Sequence, residues 1–150
     1  MADTSLPARS AGLAPTAGEV VVGLLGAAVI SVAVNALIAL VAGKFIPSDV
    51  ERKGLALVEY APATVIGILL GTLGWYLVRR FADNPRRVLR VLVPVVLVLS
   101  WIPDLGILAA GASVVNSLAL IAMHIVVAAA TVPALSRILP LDARSAGVRF

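Results

Sequence analysis

His124 is the sole histidine of this chain, and it lies near the middle of a long apolar stretch, residues 113–135. About eleven residues into a helix, at 1.5 Å per residue, is roughly 16 Å from its start. An imidazole at that depth either relays protons or holds neighbouring helices in register as a neutral hydrogen-bonding group. Asn35, Glu59, Asp104 and Asn116 fall in the same half of the apolar stretches that carry or adjoin them. With His124 they outline a polar pocket open at one end of the molecule, suited to a small ligand or a proton. In the plainer reading Glu59 and Asp104 are solvated at the surface, while Asn35 and Asn116 make interhelical hydrogen bonds. That reading is favoured, because most intramembrane polar groups serve packing.

Catalysis has no support. Ser117 shares a helical face with His124 but lies two turns away, too far for a nucleophile and its base. No HExxH, phosphate loop, nucleophile elbow or usefully spaced carboxylate pair occurs. One histidine without a second ligand is a poor metal site. The expectation is a non-enzymatic protein with no metal and no cofactor.

These residues must be held by membrane-spanning helices. Of the 150 residues, 61% are hydrophobic and 13% charged, against about 25% charged in a soluble domain. Four apolar runs occupy residues 20–41, 61–78, 86–108 and 113–135. Each has the roughly 17–25 residues a helix needs to cross the ~30 Å hydrocarbon core. The expected fold is an all-α integral membrane bundle of four transmembrane helices spanning residues 19–136. Residues 1–18 form a polar tail expected to be disordered, and residues 137–150 form a second tail. The first run is too long for a signal-peptide core and lacks a convincing cleavage site, so it is read as an uncleaved span. The absence of cysteine excludes disulfides, thiolate metal sites and a cysteine nucleophile.

Local signals mark the helix ends. Thr16-Ala17-Gly18-Glu19 has capping-box spacing, Asn84-Pro85 reads as a cap followed by a first-turn proline, and Ser113 can cap the last helix. Pro62 suits the first turn of the second span. Residues 55–60 are compatible with a strand or an interfacial segment. Residues 103–112 either dip into the membrane or continue the third helix beyond a kink at Pro103.

Net charge is +4, and the basic residues lie at helix ends on one side rather than in a nucleic-acid patch. Arg79, Arg80, Arg86, Arg87 and Arg90 share one connection, and Arg9, Arg137, Arg144 and Arg149 lie in the tails. Lys44, Arg52 and Lys53 are the only basic residues expected on the other side. The positive-inside rule places both termini and the arginine-rich connection in the cytoplasm. Trp75, Tyr76, Tyr60 and Trp101 fall near span ends, as interfacial belts do. The five clustered arginines also suit contact with anionic lipid head groups.

Ala63, Gly67 and Gly71 recur every four residues in the second span, with Gly74 three further on. Small residues at that spacing make a groove that a neighbouring helix backbone approaches closely. The favoured partner is a helix of the same chain, presenting Gly23, Gly26 and Ala27 or residues 128–130. The alternative is a second copy or another membrane protein. Polar residues are nearly missing from the arginine-side half, as in residues 20–30 and 125–130, which argues against a continuous channel.

The run Met123-His124, the segment Val126-Val127-Ala128-Ala129-Ala130 and Val132-Pro133-Ala134-Leu135 resemble small actinobacterial four-span membrane proteins of a family of unknown function. Gly74-Trp75, the arginine-rich turn and Ser100-Trp101-Ile102-Pro103-Asp104 share that resemblance, which covers about residues 20–135. It implies four spans in a bacterial cytoplasmic membrane and brings no activity. The leading functional expectation is an accessory protein acting through helix–helix or lipid contacts. The alternative is a small carrier or sensor using the pocket.

Overall fold

The computed structural model describes residues 15–141, and all regular structure among them is helical. The helices are α1 (Ala17–Gly43), α2 (Leu57–Phe81), α3 (Pro85–Leu99), α4 (Ile102–Ala109) and α5 (Val114–Ile138). Four segments are long and apolar enough to cross a membrane: α1, α2, α5, and α3 with α4 taken together, residues Pro85–Ala109. Most of the two expected tails, with Arg9, Arg144 and Arg149, lies outside the described residues, while Ala17 and Gly18 belong to α1 and Arg137 and Ile138 to α5.

The helix starts follow side-chain chemistry. Thr16 Oγ1 accepts the Glu19 amide at 3.2 Å, and Glu19 Oε2 accepts the Thr16 amide at 2.7 Å, closing the capping box. Asn84 accepts the Arg87 amide at 3.1 Å with Pro85 at the first helical position, and Ser113 accepts the Asn116 amide at 3.1 Å. These bonds occupy amide groups that no helical carbonyl can reach. α2 begins earlier than its apolar run suggests. Glu59 Oε2 accepts the Ala56 amide at 3.1 Å, so residues 57–60 become its first turn and Pro62 falls inside the helix. The kink alternative describes the third span: α3 ends at Leu99 and α4 resumes at Ile102. Pro103 has no N–H for the Leu99 carbonyl. The Ser100 hydroxyl takes the Leu97 carbonyl at 2.6 Å, and Trp101 N bonds the Val98 carbonyl in a tightened turn.

α1 and α5 form the most extensive contact in the bundle. The buried face of α1 carries Ala27, Ser31 and Asn35 at four-residue intervals, and Gly23, one turn before Ala27, lies against Ile138 of α5. α2 packs on both helices. The third span stands apart, with Leu89 the one buried residue of α3 and Asp104 the one buried residue of α4. Large apolar side chains such as Val22, Val29, Leu40 and Val58 face outward. The deepest positions include Ser31, Asn35, Asn116 and Ser117. This polarity suits a bundle whose surroundings are hydrocarbon.

The connection after α1 folds back over the bundle end. Ile46 and Leu55 pack with Tyr60, Ala119, Leu120 and Met123. Asn116 Nδ2 donates to the Lys53 carbonyl at 2.9 Å, tying the connection to α5. Gly54 follows Lys53 with φ +77°, and a β-carbon there would stand 2.9 Å from a Leu120 methyl. Both conformation and space demand glycine. Gly54→Ala is expected to destabilise the protein by about 1–3 kcal/mol, read as a lower midpoint in thermal unfolding of the detergent-solubilised chain. An unchanged midpoint would show that this connection does not brace the bundle.

Candidate functional site

The third span meets its neighbours at two places, Leu89 near the arginine-rich end and Asp104 near the other. Between them a cleft of about 560 Å³ opens among α2, α3, α4 and α5. Asn35, Glu59, Asp104 and His124 all line it, so four of the five expected pocket residues share one space. Asn116 does not. It is fully buried, and its amide is engaged with the Lys53 carbonyl.

Ala63, Gly67, Gly71 and Gly74 line the same cleft. Their expected partner, a helix of this chain, is not seated on them. A β-carbon built on Gly67, Gly71 or Gly74 meets nothing within 4 Å outside its own helical turn. Of the small residues of α1, Ala27 is buried, Gly23 lies against the Ile138 side chain of α5 and Gly26 meets nothing within 4 Å. The stripe and the polar residues, separate features in the sequence, are therefore floor and rim of one site.

The polar rim is built from short connections between helices. Asn35 Nδ2 donates to Thr64 Oγ1 at 3.2 Å, linking α1 to α2. Such a bond inside a membrane bundle is worth about 0.6 kcal/mol. His124 Nδ1 lies 2.9 Å from the Leu120 carbonyl one turn earlier. A carbonyl only accepts, so Nδ1 carries hydrogen, and in the neutral ring Nε2 is left as an acceptor. Asp104 Oδ2 is 3.1 Å from the same Nδ1, near enough to pair with a protonated ring. It is off the N–H direction, and that oxygen has no hydrogen-bond donor. Asp104 is 4% exposed. The imidazole is therefore a shared hinge between α5 and α4, held by its own helix and adjacent to the carboxylate of the next.

Towards the arginine-rich end the cleft becomes mostly apolar, bordered by Leu70, Leu92, Val96 and Val132, with the Thr131 hydroxyl as a polar exception. It ends on Trp75, which with Leu89 and Leu135 forms a buried cluster. Trp75 is 5% exposed, and its indole N–H donates to the Leu139 carbonyl at 3.0 Å. The expected interfacial position thus applies to Tyr76, which is exposed, and not to Trp75, which plugs the bundle. Arg86 Nε donates to the Leu141 carbonyl at 2.9 Å and secures the same chain end. Arg80 lies 5.5 Å from the Phe81 ring centroid. None of Arg79, Arg80, Arg86, Arg87 and Arg90 lines the cleft.

Ser100, a polar residue of the same half of the third span, also lines the cleft, as do Thr64 and Thr131, which the sequence pattern did not single out. Thr64 was findable from its phase, one residue after Ala63 and three before Gly67. The α1 seam of Ala27, Ser31 and Asn35 carried the same four-residue signal.

Residues 12–140 match the model of a family of unknown function, DUF6069, and the chain belongs to that family. No curated protein and no solved structure matches it.

The proximity of Asp104 to His124 has a measurable consequence. A double-mutant cycle of Asp104→Asn and His124→Gln is expected to give a coupling on the order of 1 kcal/mol, within the range of intramembrane polar pairs. Strict additivity in unfolding measurements would show that the two side chains do not interact.

Proposed function

We propose that this DUF6069 protein is a non-enzymatic membrane protein whose cleft holds an apolar chain, with the polar group of that molecule at the Asp104–His124 end. The observation that carries the reading is the shape and polarity of one continuous space. Its floor is a stripe of one alanine and three glycines, its far end is apolar save for the Thr131 hydroxyl, and its ionisable groups gather at the opposite end. Leu70 is 64% and Val96 53% exposed while bordering the cleft, so it is reached from the side, between α2 and α3. In a bilayer that approach is filled with acyl chains.

Volume favours a small amphiphile over a helix. The cleft, about 560 Å³, falls in the roughly 300–1,000 Å³ range of small-molecule sites. A neighbouring helix would seat only one face in this side-open groove, whereas a single apolar chain fits within it whole. An accessory-subunit role through the glycine stripe is the second reading, supported by the open space above Gly67 and Gly71. Its signature would be a disulfide crosslink from Gly71→Cys to a second copy or another membrane protein. The absence of catalysis is part of the proposal. Ser100, a hydroxyl that lines the cleft, donates to the Leu97 carbonyl and not to His124.

The orientation we propose has both termini in the cytoplasm of a bacterial, actinobacterial, cell, with the polar end of the cleft outward. The distribution of basic residues supports it. The cysteine-free chain makes this directly testable. In intact cells a membrane-impermeant maleimide is expected to label Ser48→Cys and to spare Asp83→Cys. The reverse pattern would invert the orientation.

Occupancy of the cleft can be read from Trp75. In a Trp101→Phe background, a brominated dodecyl maltoside is expected to quench Trp75 emission in nanodiscs. Gly71→Leu, which fills the floor, should reduce that quenching several-fold, as truncating or blocking an apolar site does. Equal quenching in both proteins would mean that the chain does not enter the cleft.

A further inference from the structure

The rim of the cleft is unbalanced in charge and in hydrogen-bonding sense. Glu59 and Asp104 contribute two carboxylates, while His124, with at most one positive charge, is the sole basic side chain among the lining residues. No lysine or arginine among the described residues lines the space. Three buried polar atoms of the lining lack a partner: Asp104 Oδ2 and Asn35 Oδ1, which only accept, and the Thr131 hydroxyl farther along the cleft, which both donates and accepts. Asn35 is 1% and Asp104 4% exposed, so neither oxygen is compensated by free access to bulk water. The neutral His124 ring would add Nε2 as a further acceptor. A buried acceptor without a donor is costly, and a buried carboxylate without a cation more so.

We infer that the polar group received by the cleft is a protonated amine carried on an apolar chain. This inference rests on the amphiphile reading above and specifies its ligand class. An ammonium group supplies what the rim lacks, a positive charge and several N–H donors converging on carboxylate and amide oxygens. A phosphate or sulfate head would bring a negative charge and more acceptors to a site already rich in both. The arginines that suit anionic heads lie at the opposite end, beyond the Trp75 plug. A sugar head would satisfy acceptors but leave the net negative charge uncompensated. The chain of the ligand would run along Gly67, Gly71 and Gly74 towards Trp75.

The test uses the full chain, with Trp101→Phe, in phosphatidylcholine nanodiscs. Three probes share a brominated dodecyl chain and differ in head: ammonium, maltoside and sulfate. Half-maximal quenching of Trp75 is expressed per mole fraction in the bilayer, with protein-free discs correcting for partitioning. The ammonium probe is expected to bind about tenfold more tightly than either other probe. Asp104→Asn should shrink that advantage to about twofold or less while leaving maltoside binding intact. If Asp104→Asn also loses the maltoside, the fold is disturbed and Glu59→Gln decides, with an expected fall in ammonium preference of about threefold. Adding phosphatidylethanolamine distinguishes the source of the amine. Competition with the probe assigns it to a lipid head group, and no competition assigns it to a free amphiphile; both support the inference. Equal affinity for all three heads, or preference for sulfate, overturns the amine while leaving chain binding in place. No quenching by any probe overturns both.

Discussion

Ser31, Asn35, Asn116 and Ser117 are almost completely withdrawn from the surface, whereas Val22, Val29 and Leu40 are more than half exposed. Hydrocarbon offers no partner to a hydroxyl or an amide, so polar side chains are forced inward and apolar ones outward. That constraint assigns the faces of α1 and α5, buries Ala27, Ser31 and Asn35 of α1, and makes the α1–α5 contact the spine of the molecule. The remaining helices are arranged around it, with α2 bound by the Asn35–Thr64 bond and the Lys53 carbonyl clamped by Asn116.

The cleft follows from what this spine leaves over. Gly23 of α1 lies against Ile138 of α5 and Gly26 meets nothing, so among the described residues no helix is seated on the small stripe of α2. The third span is pinned by Leu89 at one end and Asp104 at the other, and nothing between those points is buried. A proline at 103 interrupts that span and turns the segment bearing Asp104 into a separate short helix beside α5. The carboxylate thereby reaches His124, whose imidazole is oriented by the Leu120 carbonyl of its own helix. An open apolar space bounded by a fixed polar pair is the outcome of packing priorities elsewhere.

The two ends of the bundle are closed by different means. At one end the connection after α1 supplies Ile46 and Leu55 to an apolar cluster and needs a left-handed glycine to pass over Leu120. At the other, Trp75 fills the space between α2, α3 and α5 while holding the chain leaving α5 through a backbone carbonyl. An indole does both at once because its ring is apolar and its edge carries one donor. The cleft is thus blind towards the arginine-rich end and open at the side.

The four apolar helices, their caps at Thr16, Asn84 and Ser113, and the gathering of Asn35, Glu59, Asp104 and His124 towards one end were legible in the sequence, because run length, cap chemistry and position along a span are local properties. The destination of each helix face was not. Residues Ala63, Gly67, Gly71 and Gly74 announce a groove, but whether a helix fills it depends on which of several small-residue faces α1 prefers, a comparison of packing between distant segments. Trp75 near a span end reads as an interfacial anchor until Leu89, Leu135 and the Leu139 carbonyl surround it. Asn116 and His124 stand two turns apart on one helix, yet one clamps a connection and the other borders the cleft. Periodicity determined which residues avoid water and which cross the membrane; only the competition among helix surfaces decided which of them meet and where a space was left between them.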